Sequence, residues 1–506
     1  MNTTIAALMS ELCTLVAELG QGGGRVSPSI YDTAQVLRFY PCPEGVEPAI
    51  DWLLAQQQAD GGWGDPIAPY ARAVPTLATL LALQHHRNRV PDKVYAAGFA
   101  YLQDQAPLWQ DLVIDALPIA TEMILPSLLD EAIARGLPIA RAPYHFLYQL
   151  RRQKCQQISK HPLRAGTPPV YSWEALGREA QPNLIDESGG IGHSPSATAA
   201  WLHQATKQPA LADLCHSAIT YLQRAAAATG INVPGVVPNV WPITGFEMSY
   251  GPYALLATKL LFHPRLHEAL HRQLGRLEHI LVRGQGISFG EYFMPDVDET
   301  AVGLAALYSA GYPVDTQVLQ QFKVGEHFHT FPHELNPSVL SNAHALYALA
   351  GTKQCSAGVA QFLRERQCVD GRWLPDKWHS SWLYTTLEAV LAFAQLDSLR
   401  EVNHALELLL TTQKPDGGWG SGLYATQVET SYALIGLNAV KQRNLANDAV
   451  TPAIQRGHQW LQEQDKRQRP AQEHLWLGKE LYSPYRVDRI YVVSSLLSVL
   501  LQKEEA

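Results

Sequence analysis

A helix-closing motif recurs along this chain. It reads as an aromatic residue or Leu, an aliphatic residue, three residues, Gln, three residues, Gly, one residue, Trp. It occurs as Trp52-Leu53…Gln57…Gly61-Gly62-Trp63, as Phe362-Leu363…Gln367…Gly371-Arg372-Trp373 and as Leu408-Leu409…Gln413…Gly417-Gly418-Trp419. Fainter copies start at Tyr101-Leu102, Tyr221-Leu222 and Trp460-Leu461, and starts lie about 46 to 52 residues apart where copies follow one another directly, as at 52/101, 362/408 and 408/460. That interval suits two helices with their connections. Each copy reads as a helix end, a glycine turn and a Trp packed back beneath it. Helix pairs repeated in this way curl into a toroid, with inner helices around a cavity and outer helices facing water. The apolar stretches at 73–83, 119–134, 301–309, 343–350, 385–394 and 430–440 are helical in pattern, and period-two strand patterns are scarce. The expected fold class is all-α.

At 506 residues the chain exceeds one ordinary core, so two domains are expected. Charged residues make up 17% and hydrophobic residues 46%. The charged share is below the usual quarter, as suits much buried surface. A net charge of −8 without a long basic run argues against a nucleic-acid partner. The six cysteines (Cys13, Cys42, Cys155, Cys215, Cys355 and Cys368) are scattered, with no zinc spacing. They read as reduced thiols of a cytoplasmic protein. Glu11 and Glu18 make the N-terminus a helix and not a signal peptide. No apolar stretch reaches the roughly 18 residues that span a bilayer. The stretch 490–501 reads as a core helix, and peripheral membrane contact stays open.

Three carboxyl groups stand within four residues at Asp296, Asp298 and Glu299, just before the apolar run 301–305. Burial and mutual repulsion make ionising all three costly, so at least one keeps its proton. Such a group is a Brønsted acid in a dry place, strong enough for a base as weak as a carbon–carbon double bond. The same residues also read as a helix N-terminus, with Asp296 as cap and the helix dipole lowering the pKa values.

Repeat and acid cluster together resemble the class II terpene cyclases, and within them the bacterial diterpene cyclases. The resemblance runs nearly end to end. It takes in Ser27-Pro28-Ser29-Ile30-Tyr31-Asp32-Thr33-Ala34, Ser194-Pro195-Ser196-Ala197-Thr198-Ala199 and Val237-Pro238-Asn239-Val240-Trp241-Pro242. It continues through Ser341-Asn342-Ala343-His344, Asp376-Lys377-Trp378-His379-Ser380-Ser381 and Trp476-Leu477-Gly478-Lys479-Glu480-Leu481-Tyr482. The family implies two α/α-barrel (toroid) domains in a βγ arrangement, with γ inserted near the start of β. Residues 1–42 and 265–506 would form β, 43–264 would form γ, and the active cavity would lie between them. The implied substrate is geranylgeranyl diphosphate, cyclised by protonation of its terminal alkene with the diphosphate retained. No DDxxD metal cluster for ionising a diphosphate occurs, and Asn447-Asp448 only faintly imitates the second such motif. A downstream diphosphate-processing enzyme is the implied partner.

Carried over residue by residue, the general acid is Asp298, with Asp296 and Glu299 as its tuning partners. His344 matches the histidine that squalene-type relatives set against the acid, and Asn342 is a second candidate for that contact. Carbocations need π faces and the absence of water. Tyr31, Tyr171, Trp173, Trp241, Trp378, Trp382 and Tyr384 lie in the family-like segments as candidate cavity walls. In plant relatives a His and an Asn hold the water that ends the reaction. Asn239 matches the Asn, whereas Tyr171 stands at the His position, and a phenol is a poor base at neutral pH. The cation would then outlive the usual deprotonation. This favours a rearranged halimane or clerodane skeleton, such as halimadienyl or kolavenyl diphosphate, over a copalyl one. Lys377 and Lys479 are candidates for the diphosphate. Magnesium is implied through Asp111 and Asp115, which would share one helix face at i and i+4. The competing readings are a prenyltransferase-like subunit, a glycoside-processing toroid with separated carboxylates, and a non-catalytic toroidal scaffold.

Overall fold

The computed structural model describes residues 3–332, 334–354, 356–445, 448–467 and 473–505. Cys355 and Asn447 lie outside the described residues, and the other five cysteines are free thiols. Helices dominate, and the strands among the described residues are two-residue pairs.

The repeat motif works as a staple. In each of the three full copies the Trp indole N–H donates to the carbonyl ten residues back, on the helix just ended. Trp63 reaches Leu53 at 2.7 Å, Trp373 reaches Leu363 at 2.8 Å and Trp419 reaches Leu409 at 2.8 Å. The Gln amide closes the turn and then bridges outward. Gln367 Nε2 donates to Gly371 O and to Glu401 O, both at 3.0 Å, and Gln413 repeats this with Gly417 and Ala453. Each motif thereby ties its own helix end to the next outer helix. The glycine is required for two reasons at once. Gly371 has φ +96, and a Cβ there would lie 2.3 Å from the His404 carbonyl oxygen.

Two closed rings result. Six inner helices, Thr244–Ala257, Val297–Ser309, Val339–Gly351, Trp382–Gln395, Gln427–Gln442 and Tyr485–Glu505, each pack on the next, and the last returns to the first. They are buried nearly all round, as helices without a polar face must be. Thr3–Glu18, His267–Gly284, Ala357–Arg364, Leu399–Thr411 and Val450–Arg467 cover them from outside. The second ring has inner members Ile30–Phe39, Ala73–Leu83, Thr121–Ala134, the 3-10 segment Pro168–Ala175 and Pro195–Ala205.

The expected boundaries at 42/43 and 264/265 cut through packed units. Tyr31, Ala34 and Leu37 share a core with Leu53 and Leu77, so Ile30–Phe39 belongs to the second ring. Phe246, Tyr250 and Tyr253 share a core with Val297 and Leu346, so Thr244–Ala257 belongs to the first. The reason is ring closure: an inner helix goes where its neighbours leave a gap. No helix among the described residues is long and apolar enough to cross a membrane.

Candidate active site

Between the rings lies a cavity of about 460 Å³, within the range of small-molecule sites. One wall is the first turn of Val297–Ser309. Asp296 caps that helix, its Oδ1 accepting from the Glu299 N–H at 2.9 Å, and it fixes the direction in which Asp298 and Glu299 point. All three carboxyls are buried and line the cavity. Burial, with Asp298 adding repulsion, pushes Asp296 up to about 7, against the hydrogen bonds it accepts at the cap. Burial and the same two neighbours raise Glu299 well above the carboxylate range. Desolvation therefore wins over the helix dipole, and the cluster stores protons at neutral pH.

Asp298 is gripped from two sides. Tyr250 donates its hydroxyl to Oδ2 at 2.9 Å, and His344 Nδ1 lies 2.6 Å from Oδ1. Behind the histidine, Glu388 Oε2 lies 3.4 Å from Nε2 and accepts from Tyr253 at 2.5 Å. Burial pulls His344 down, but the carboxylates of Asp298 and Glu388 outweigh it and raise the imidazole to about 10. An imidazolium, backed by Glu388, is thus placed to donate to Asp298 whenever that carboxyl is ionised. Asn342 does not join this chain. It donates to Phe328 O at 2.9 Å and Ser338 O at 2.7 Å, pinning the short hairpin at 323–328.

The remaining walls are largely apolar and aromatic: Phe246, Tyr250, Phe289, Phe293, Trp378 and Trp476. Trp476 and Tyr482 are presented by the strand pair Trp476–Leu477 and Leu481–Tyr482, whose turn passes so close to Asn239 that a Cβ on Gly478 would lie 2.0 Å from its Oδ1. Of the aromatic candidates from the sequence, Tyr171 and Trp378 line the cavity. Tyr31, Trp173, Trp241, Trp382 and Tyr384 are core residues outside its lining. Tyr31 donates to Glu174 at 2.8 Å, Tyr384 bonds Tyr491 at 3.2 Å, and Trp382 lies under the Arg372 guanidinium. Tyr171 donates to Asn239 Oδ1 at 2.8 Å, and burial holds its phenol well above 10. Family position marked these residues, but only the packing shows which ring faces space and which faces another side chain.

The two lysines part company. Lys377 lines the cavity, 3.2 Å from Glu334, with Lys154, Glu122 and Asn336 in the same lining. Lys479 is fully buried outside the lining, donating to Glu174 at 2.7 Å and to Ser194 and Ser196 at 2.6 Å, and it joins the two rings. Asp111 and Asp115 do not share a helix face. Asp111 sits on a bend and Asp115 in the 3-10 turn Ile114–Ala116, where it accepts from Asn336 at 2.7 Å. No group of three or more His, Cys, Asp or Glu that could hold a metal ion occurs among the described residues. The helix face on which the two carboxylates were expected to present themselves to magnesium is therefore not formed.

The geometry can be set beside known proteins. Residues 336–487 match the squalene-hopene cyclase C-terminal domain family. The chain is 41% identical to (+)-kolavenyl diphosphate synthase of Herpetosiphon aurantiacus, over 99% of both chains. It is 32% identical to an ent-copalyl diphosphate synthase of Streptomyces, over 98% of this chain and 96% of that one. The chain is a class II diterpene cyclase. Its structure agrees with that of ent-copalyl diphosphate synthase from Streptomyces platensis at a TM-score of 0.78, with 26% identity, covering 97% of the cyclase and 99% of that chain. Tyr250, Glu388, Lys154 and the Phe289–Phe293 wall were not singled out from the cyclase's sequence. Glu388 sits in the apolar helical stretch 385–394, which reads simply as core.

Proposed function

We propose that the cyclase closes geranylgeranyl diphosphate to a bicyclic diphosphate, with Asp298 protonating the terminal alkene and the diphosphate retained. The observation that carries this is a buried carboxyl facing an aromatic cavity while an imidazolium stands at its back. The two rings correspond to the β and γ domains of the family. As the proton leaves, the C=C electron pair forms the new C–H bond. The tertiary cation then meets π faces and little water. Tyr250 and His344 stay hydrogen-bonded to the Asp298 carboxylate and spread its charge. Lys154 and Lys377 take the diphosphate, Lys377 in exchange for its ion pair with Glu334.

The product is a rearranged diphosphate of the kolavenyl kind. At the place of the family's terminating pair, Tyr171 is a neutral phenol and the Asn239 carbonyl oxygen is already occupied by it. The first bicyclic cation finds no base there, and hydride and methyl shifts proceed. Identity to the Herpetosiphon enzyme supports the same reading. Because the diphosphate survives, an enzyme that removes it must act next. Incubation with geranylgeranyl diphosphate, dephosphorylation and NMR of the alcohol test this: a rearranged skeleton is expected, and an unrearranged copalyl skeleton refutes it.

A further inference from the structure

We propose that His193 is the catalytic base that ends the reaction, taking the last proton from the cation, with Asp186 holding the imidazolium that results. This rests on the reading above in one respect, that the reaction ends by proton loss within this cavity. His193 lines the cavity next to Gly192 and against Phe293, whose ring centroid is 5.3 Å away. Its side chain is 2% exposed, and neither ring nitrogen makes a well-aligned hydrogen bond among the described residues, although the carbonyls of Glu291 and Pro242 lie near enough to act on the ring. A buried polar group left so needs a reason, since nearly all such groups are paired.

The surrounding backbone is built to put the ring there. His193 has φ 58, a left-handed conformation that is strained for a non-glycine residue. Its carbonyl accepts from the Trp241 N–H at 2.9 Å, which holds the turn. At Gly290 a Cβ would lie 2.6 Å from the His193 Cε1 and 2.8 Å from Nδ1, so the ring's place depends on a glycine opposite. Asp186 Oδ2 faces Nε2 at 3.8 Å and is itself unpartnered, while Oδ1 is anchored by the Ser188 N–H at 2.8 Å and hydroxyl at 2.5 Å. An imidazole with a carboxylate oxygen reserved behind it is a pair arranged to accept one proton.

Charge separates this histidine from the other. Burial drives His193 down to about 4, against the carbonyls of Glu291 and Pro242, so the ring is neutral and able to accept a proton. His344 is charged and can only donate. Two like groups pushed apart by their surroundings assign acid side and base side. In the step, the pair of a C–H bond next to the cationic carbon becomes the alkene π bond. The proton joins the imidazole nitrogen, and the positive charge passes from carbon to the ring. The imidazolium then yields its proton to Asp186, beside exposed Glu187. The competing acceptor is the Asp298 carboxylate left by initiation.

The test compares wild type with His193→Asn, since Asn tolerates a left-handed backbone, and with His193→Gln. Each is incubated with geranylgeranyl diphosphate, and the dephosphorylated products are quantified after a melting curve has established folding. The wild-type alkene should fall at least about tenfold in share, giving way to double-bond isomers or water-trapped alcohols. Substrate consumption should stay within about tenfold, because Asp298 is untouched. An unchanged product profile in a folded variant overturns the assignment in favour of Asp298. Complete loss of consumption in a folded variant also overturns it. An unrearranged wild-type product removes the proposed skeleton but leaves the His193 comparison readable. A wild type that leaves the substrate unconsumed removes the function itself and this inference with it.

Discussion

At Asp296 and Glu299 the cost of burial exceeds what the helix N-terminus returns, and the consequence is a pH limit on catalysis. Asp296 keeps its proton below about 7 and loses it above. Its new charge would then stand beside Asp298 and oppose the negative charge that proton donation leaves there. The turnover rate should fall as pH rises through about 7, by about tenfold per unit once one proton is required. A profile flat from pH 6 to 9 would contradict this. The acid cluster was legible in the sequence because repulsion between three adjacent carboxyls needs no fold to be recognised. His344 was legible by resemblance. Glu388 was not, because a single Glu in an apolar helix gives no sign of its partner 44 positions back, and neither was His193, whose meaning lies in the bonds it does not make.

At the scale of elements, the repeat motif holds inner and outer helices together, and its parts have separable costs. Gly371→Ala meets both a positive φ and the His404 carbonyl, and should destabilise by about 1–3 kcal/mol. Trp419→Phe leaves the Leu409 carbonyl without its indole donor and should cost about 1–3 kcal/mol. Urea midpoints of the purified variants measure both. Changes below about 0.5 kcal/mol would mean that the motif is incidental to stability. This staple was read correctly from spacing alone because a helix end, a turn and a returning Trp are local. The domain boundaries were misplaced for the opposite reason: ring closure is non-local, and nothing within Ile30–Phe39 announces that its neighbours are Ala73–Leu83 and Pro195–Ala205. The helix face expected for Asp111 and Asp115 failed locally, since the chain there folds as a bend and a 3-10 turn.

Over the whole molecule, buried acids accumulate where the rings meet their own centres and each other. Burial raises Asp296, Glu473 and Asp488 to about 7 and Glu480 to about 8. Each binds its proton more tightly folded than unfolded. The stability they lend is complete below about pH 4 and is lost as pH rises through those values. His344, raised to about 10, acts in the same direction above about 6.5. His193 and His379, lowered to about 4 and about 3, act oppositely, but only below about 6.5. The melting temperature should therefore fall between pH 6.5 and 9, by about 2 °C or more. A rise over that interval would mean that these carboxyls are not held neutral by the fold. The same dryness that raises them lets one carboxyl deliver a proton to an alkene across the gap between the rings. Turnover of geranylgeranyl diphosphate by Asp298→Asn, compared with wild type at equal, verified folding, tests that claim most directly. The account predicts a loss of about 10²–10⁴-fold with the substrate recovered uncyclised, and cyclisation within tenfold of wild type would contradict it.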